Sequence, residues 1–277
     1  MSAAPIISPL ATSRSRTMRN SIAEFWHYRE LLYFFAWRDI KVRYRQAFLG
    51  TAWAVIQPLF NMLVFAFIFG RLAHIPSNGI PYPLFSYCAL VPWTYFSGVL
   101  GLGSSSLTNN TSLITKVYFP RVLLPIGTAL AGLLDLAIAM VLLIGMMFYY
   151  HVRLSWLVLL LPLAILLMVL LTTGASMLVA AMSVKYRDIK YVLPFAIQIL
   201  LFITPIIYPV SVIPEKYRPF LALNPCWGMV DCFRACLLPN QPFDFKLIGM
   251  SVGVSVVVFV LGLYYFRKSE KSFADII

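Results

Sequence analysis

Four cations crowd one short stretch of this chain: Arg38, Lys41, Arg43 and Arg45. Apolar sequence follows at once, and residues 46–70 carry no Asp, Glu, Lys or Arg. Cations at the edge of such a stretch suit the anionic head groups of a membrane surface. Other chemistries are poorly supplied. Asp135, in Ala131-Gly132-Leu133-Leu134-Asp135-Leu136, is the acid that lies well inside an apolar stretch. An ionisable residue there marks a site by default. Without a second carboxylate it makes neither a proton-coupled carrier nor a Mg²⁺ site. The expectation is a hydrogen bond from Asp135 to a Ser, Thr or backbone group of a neighbouring helix. No GxxxxGK[ST] loop is present, so no nucleotide site is expected in this chain. His27, His74 and His151 are scattered, and Cys88, Cys226, Cys232 and Cys236 show no CxxC spacing, so no metal or haem site is expected. The cysteines are expected as reduced, buried thiols, with a disulfide among Cys226, Cys232 and Cys236 as the alternative.

The elements that must hold these residues follow from hydropathy. The chain has 277 residues, 61% of them hydrophobic and 12% charged. A soluble fold could not hide that much apolar surface. About 20 apolar residues cross a bilayer as a helix, which satisfies its own backbone. Six helical spans are expected at 50–70, 84–107, 122–149, 157–183, 191–208 and 247–266, giving an all-α integral membrane protein. No cleavable signal segment is expected. The net charge of +12 does not point to nucleic acid, because it is spread by topology. With both termini inside, the inner segments take sixteen of the 22 Lys and Arg residues. The outer ones take Arg71, Arg153, Lys216, Arg218, Arg234 and Lys246. Positive charge gathers on the cytoplasmic side, so both termini are expected there.

Three regions need more than a span. A disordered cytoplasmic tail is expected over 1–20, a helix lying in the cytoplasmic interface over 21–46, and the six-span domain over 47–277. The interfacial segment mixes Phe25, Trp26, Tyr28, Tyr33, Phe34, Phe35 and Trp37 with charges. Glu24, His27, Glu30, Arg38, Lys41 and Arg45 share one face at helical spacing, interrupted by Leu31 and Phe34. A plain topology anchor is the alternative. The outer segment 209–246 holds apolar runs too short to span, broken by Pro214, Pro219, Pro225 and Pro239. Two short re-entrant helices are expected there. The second span opens with Tyr82, Phe85, Tyr87, Trp93, Tyr95 and Phe96. Tyr82 and Phe85 fit an aromatic belt. Trp93, Tyr95 and Phe96 lie about 15 Å deeper and fit a sugar-stacking path better; the residues alone leave both readings open. Gly249 and Gly253 form a GxxxG that permits close helix packing. The inner loops 108–121 and 184–190 can each hold one short helix against a soluble partner.

Together these pieces resemble a known family. Arg38-Asp39-Ile40-Lys41-Val42-Arg43-Tyr44-Arg45-Gln46, with Leu49-Gly50, Trp53 and Pro58, resembles the N-terminal signature of ABC-2 type permeases that export polysaccharides. Pro92-Trp93-Thr94-Tyr95-Phe96-Ser97 extends the match. So do Leu113-Ile114-Thr115-Lys116-Val117-Tyr118-Phe119-Pro120-Arg121, Leu124-Pro125, Tyr186-Arg187-Asp188-Ile189 and Asn224-Pro225. The pattern is most like the O-antigen permeases. The resemblance implies a permease homodimer docked on two copies of a separate ATP-binding subunit, which binds ATP and Mg²⁺. No cofactor is implied in this chain. It implies a glycan on a polyprenyl diphosphate lipid as substrate. Arg38, Lys41, Arg43 and Arg45 would meet the diphosphate, since arginine can pair phosphate through two parallel bonds. Tyr87, Trp93, Tyr95 and Phe96 would line the glycan channel. Lys116, Tyr118, Arg121, Arg187 and Asp188 would meet the ATPase. Asn224, Trp227 and Phe233 would belong to an outer gate.

Overall fold

The computed structural model describes residues 28–45, 52–239, 241, 245–270 and 273. The tail expected over 1–20 lies outside these residues, as do 21–27 and 46 of the expected interfacial segment. Every regular element among the described residues is helical. α1 is Arg29–Arg45. α2 is Trp53–Phe65, continued by a wider π-helical stretch, Ala66–Leu72. α3 is Tyr82–Ser104, and α4 is the short Thr111–Lys116. α5 is Leu123–Tyr149. α6, Leu161–Lys185, is led in by a 3-10 stretch, Trp156–Leu160. α7 is Ile189–Ile203. α8 is Arg218–Ala222, α9 is Pro225–Leu237, and α10 is Phe245–Glu270.

Four helical stretches are long and apolar enough to cross a membrane: Val55–Leu72, Leu123–Tyr149, Trp156–Lys185 and Ile248–Glu270. α3 has 23 residues, about 34 Å, so it has the length. Its Ser, Thr, Tyr and Pro content is explained by where it sits. Most of it is buried, packed against α2, α5, α6 and α9. A helix walled by protein need not be greasy on every side, and polar residues there bind neighbouring helices.

α7 departs from the expectation of a span over 191–208. It stops at Ile203 after 15 residues, about 22 Å. The reason is local. A residue before proline is pushed out of the helical region, and Thr204, before Pro205, has ψ 133°. The outer segment then forms α8 and α9. Asn224 starts α9 by accepting the Cys226 N–H at 3.1 Å, with Pro225 in the first turn, where its missing N–H costs nothing. α9 packs against α3, α6 and α10 and is largely buried.

Two apolar clusters hold the bundle. The larger surrounds α3. The smaller joins Phe35 of α1, Phe119, the start of α5 at Leu123, the end of α6 at Val184, and Phe266 of α10. α1, the loop before α5, and the ends of α6 and α10 therefore lie at one end of the bundle. At another site Asn78 accepts from Ser211 Oγ at 3.3 Å and donates to Gln241 Oε1 at 3.3 Å, which joins two of the segments read as outer, with Ser211 and Gln241 from opposite ends of 209–246.

Candidate functional site

The two sides of α1 do different work. Phe35, Asp39 and Arg43 recur every four residues and face α5. Phe35 packs over Gly127, where an added Cβ would lie 3.1 Å from the Phe35 Cβ. The Thr128 hydroxyl donates to Asp39 Oδ2 at 3.2 Å, and Arg43 and Tyr44 both reach Asp135. These contacts climb both helices in the same direction, so α1 runs alongside the first half of α5. The other stripe, Tyr33, Trp37, Lys41 and Arg45, is exposed. Tyr33 and Trp37 stack with their rings 6.5 Å apart, and the Lys41 ammonium lies 5.4 Å from the Trp37 ring.

The four cations are thus divided. Lys41 and Arg45 are exposed. Arg38 donates to Asn110 Oδ1 at 2.7 Å and to Asp39, and its guanidinium lies over the Phe35 ring. It ties α1 to the turn before α4. Arg43 donates through Nη1 to Asp135 Oδ2, and the Tyr44 hydroxyl donates to Asp135 Oδ1. Burial raises the Tyr44 pKa more than the Arg43 charge lowers it, so the phenol stays a donor. The expected neutral partner for Asp135 is therefore corrected: the carboxylate is held by a cation and a phenol from α1. An acid in apolar surroundings is stabilised more by a paired charge than by one neutral bond.

Arg43, Tyr44 and Asp135 form one wall of a cavity of about 460 Å³. α2 supplies Trp53, Gln57 and Asn61; α3 supplies Trp93, Thr94, Tyr95 and Ser97. Aromatic faces, amides, hydroxyls and a guanidinium converge there. Such a set can stack on sugar rings, exchange hydrogen bonds with hydroxyl groups and bind an anion. Of the four expected channel residues, Trp93 and Tyr95 line this cavity. Tyr95 is anchored by donating its hydroxyl to the Ala129 carbonyl at 3.1 Å. Tyr87 is buried in the packing and donates to the Ala139 carbonyl at 3.3 Å, while Phe96 packs on Trp93 with ring centres 5.8 Å apart. Gln57 and Asn61 are not singled out by the sequence, and Thr94 and Ser97 stand in the quoted motif without an expected role. Their shared signal is polarity inside apolar helices.

The expected coupling residues are spread over two loops. Lys116, Arg187 and Asp188 are exposed, and Tyr118 is 89% exposed. Arg121 is tied instead to the end of α10: its N–H donates to Glu270 Oε1 at 2.9 Å and its Nη1 to the Glu270 carbonyl at 2.6 Å. Of the expected gate residues, Trp227 and Phe233 are buried. Asn224 caps α9 and donates to Thr204 Oγ1 at 3.0 Å, joining α9 to the end of α7. All four cysteines are free and buried.

One residue was counted in the sequence only as an outer charge. Arg234 of α9 is 2% exposed. It donates to the carbonyls of Pro205 and Ile206, the second at 2.6 Å, and stacks over Phe85 at 3.8 Å. These carbonyls lie just past the early end of α7. A cation between the uncharged runs 219–230 and 235–243 is the signal that could find it.

Fold and cavity define a class: a helical membrane protein of several passes, with a polar and aromatic cavity between its helices. Residues 30–238 match the ABC-2 type transporter family, and the chain belongs to that family. An O-antigen export system permease protein of Myxococcus xanthus is 29% identical over 257 residues, covering 92% of this chain and 98% of the relative. An O-antigen export system permease protein of Klebsiella pneumoniae is 28% identical over 243 residues, covering 87% and 92%. A polysialic acid transport protein of Escherichia coli is 25% identical over 242 residues, covering 85% and 92%.

Proposed function

We propose that this chain is the permease subunit of an ABC transporter in the bacterial inner membrane. It exports a polysaccharide of O-antigen type, linked to a polyprenyl diphosphate, from cytoplasm to periplasm. Two copies form the passage, and two copies of a separate ATP-binding subunit bind ATP and Mg²⁺ and drive it. The chain crosses the membrane six times, with α3 and α7 added to the four long apolar stretches, and both termini are cytoplasmic. α8 and α9 re-enter from the outer side as a gate. The family match and the two O-antigen export relatives support the substrate class. The small cluster supports the six crossings, because it gathers the chain around residues 35, 119, 184 and 266 at one end.

The observation that carries the reading is the cavity. It joins rings and hydroxyl or amide groups for sugars to Arg43 for a phosphate. Exposed Lys41 and Arg45 offer the lipid its first contacts, beside the aromatic stripe. A capsule polymer is the second reading, favoured by the polysialic acid transport relative.

Deleting the gene and analysing the glycolipids tests this. Finished, lipid-linked polymer is expected to accumulate on the cytoplasmic face, and the plasmid-borne gene is expected to restore surface polymer. Loss of a sugar linkage from the polymer would instead make the chain a transferase and overturn the reading.

A further inference from the structure

Arg43 faces the cavity with its donors only partly used. One nitrogen, Nη1, donates to Asp135; Nε and Nη2 make no hydrogen bond among the described residues. The contact with the carboxylate is therefore not the two-bond fork that a guanidinium can form. Asp135 has a second anchor in the Tyr44 hydroxyl, so it keeps a donor when Arg43 turns away. Both charged side chains retain some exposure, 24% for Arg43 and 31% for Asp135, so an incoming group can reach them. The Nη1–Oδ2 contact lies about 12 Å along α5 from Gly127, beyond the end cluster, among the cavity's polar groups.

We propose that Asp135 is a resident counter-anion that the substrate's diphosphate replaces on Arg43, and that this competition keeps neutral and weakly bound groups off the site. The proposal rests on the polyprenyl diphosphate reading above. Asp135 neutralises Arg43 while the cavity is empty, so an unpaired cation does not draw in any passing anion. A neutral head group gains nothing by displacing the carboxylate. A diphosphate carries more charge and presents adjacent oxygens to two guanidinium nitrogens, so it outcompetes a carboxylate held by one bond. Tyr44 and Asp135 are then positioning residues: they hold Arg43 at the cavity wall and decide what can take it. Specificity here comes from a built-in competitor as much as from attraction.

The test uses the permease purified with its ATP-binding subunit in nanodiscs. Binding of undecaprenyl diphosphate, undecaprenyl monophosphate and inorganic diphosphate is measured for each variant. Wild type is expected to prefer the diphosphate lipid to the monophosphate, and Arg43→Gln is expected to lose that preference. Asp135→Asn still accepts from Tyr44. It is expected to bind both phosphate lipids about tenfold more tightly, because neither then has to displace a carboxylate. Arg43→Lys keeps the ion pair and thus the assembly. It is expected to bind the diphosphate lipid about tenfold more weakly, because one ammonium cannot offer the fork.

Wild-type binding by Arg43→Gln would overturn the diphosphate reading itself. If Arg43→Gln loses binding but Asp135→Asn leaves both affinities unchanged, or weakens them, the competition is refuted and the reading stands. Wild-type discrimination in Arg43→Lys would refute the exchange on the fork. Inorganic diphosphate is expected to compete only at a concentration about a hundredfold higher than the lipid; competition at equal concentration would overturn the lipid assignment.

Discussion

Arg234 shows what one buried charge can hold. Its guanidinium serves the carbonyls of Pro205 and Ile206, which follow the point where Pro205 ends α7. A buried carbonyl without a donor costs about 1–3 kcal/mol. Replacing Arg234 by Met keeps apolar bulk and removes every donor, so it strands these carbonyls together. Arg234→Met is expected to lower the stability of the purified complex by about 2–4 kcal/mol, read as a drop in its thermal unfolding midpoint. Arg234→Lys keeps a charge and three donors and should lose less. A midpoint unchanged in Arg234→Met would mean that α9 does not depend on this contact. At this scale the sequence was half legible. It marked Asp135 and the four cations as places where charge meets apolar sequence. It did not reveal which cation meets which acid, because Arg43 and Asp135 are 92 positions apart and no periodicity links them. Trp93 and Tyr95 could be picked out by depth, yet Tyr87 and Phe96 carry the same aromatic signature and are used in packing.

Helix pairing follows close backbone approach, and the glycines show where. A Cβ added at Gly249 or Gly253 of the GxxxG would meet nothing within 4 Å among the described residues. The tight crossing is elsewhere, between α6 and α10. A Cβ on Gly262 would lie 2.1 Å from the Gly174 carbonyl oxygen, and a Cβ on Gly174 would lie 2.4 Å from the Phe259 Cα. Backbone cannot yield as a flexible side chain does, so the helices must part. Gly262→Ala is expected to cost about 1–3 kcal/mol of stability in the same thermal assay. Gly249→Ala should be neutral or slightly stabilising, by up to ~1 kcal/mol, since alanine favours the helix. Loss of stability at Gly249 would place that motif between two copies of the chain. The sequence could locate helices, because apolar length is a local property. It could not locate their contacts: a short motif says that close approach is permitted, not that it is made. The same limit applies to α1. Its aromatic and basic composition was plain, but the division into an exposed stripe of Tyr33, Trp37, Lys41 and Arg45 and a packed stripe of Phe35, Asp39 and Arg43 depends on α5.

At the scale of the molecule, charge and packing group the same segments at one end by separate routes. The Lys and Arg distribution assigns 21–46, 108–121 and 184–190 to the cytoplasm together with both termini. Phe35, Phe119, Val184 and Phe266 of those segments, or of the helices that leave them, share one cluster. Asn78, Ser211 and Gln241 of the segments assigned outside are joined by hydrogen bonds. Lysine and arginine are retained on the cytoplasmic face during insertion, whereas packing reports only which loops ended together, so orientation is a prediction of the charge distribution. The four native cysteines are buried and should react slowly, which leaves an introduced thiol as the readable one. Tyr118 is 89% exposed in the loop before α5, and Trp156 is 75% exposed in the turn before α6. In spheroplasts treated with a membrane-impermeant maleimide, Trp156→Cys is expected to label at once. Tyr118→Cys is expected to label only after the membrane is broken, and to be protected when the ATP-binding subunit is present. The opposite labelling order would invert the molecule and put α1, with its exposed Lys41 and Arg45, on the wrong side to receive a lipid made in the cytoplasm.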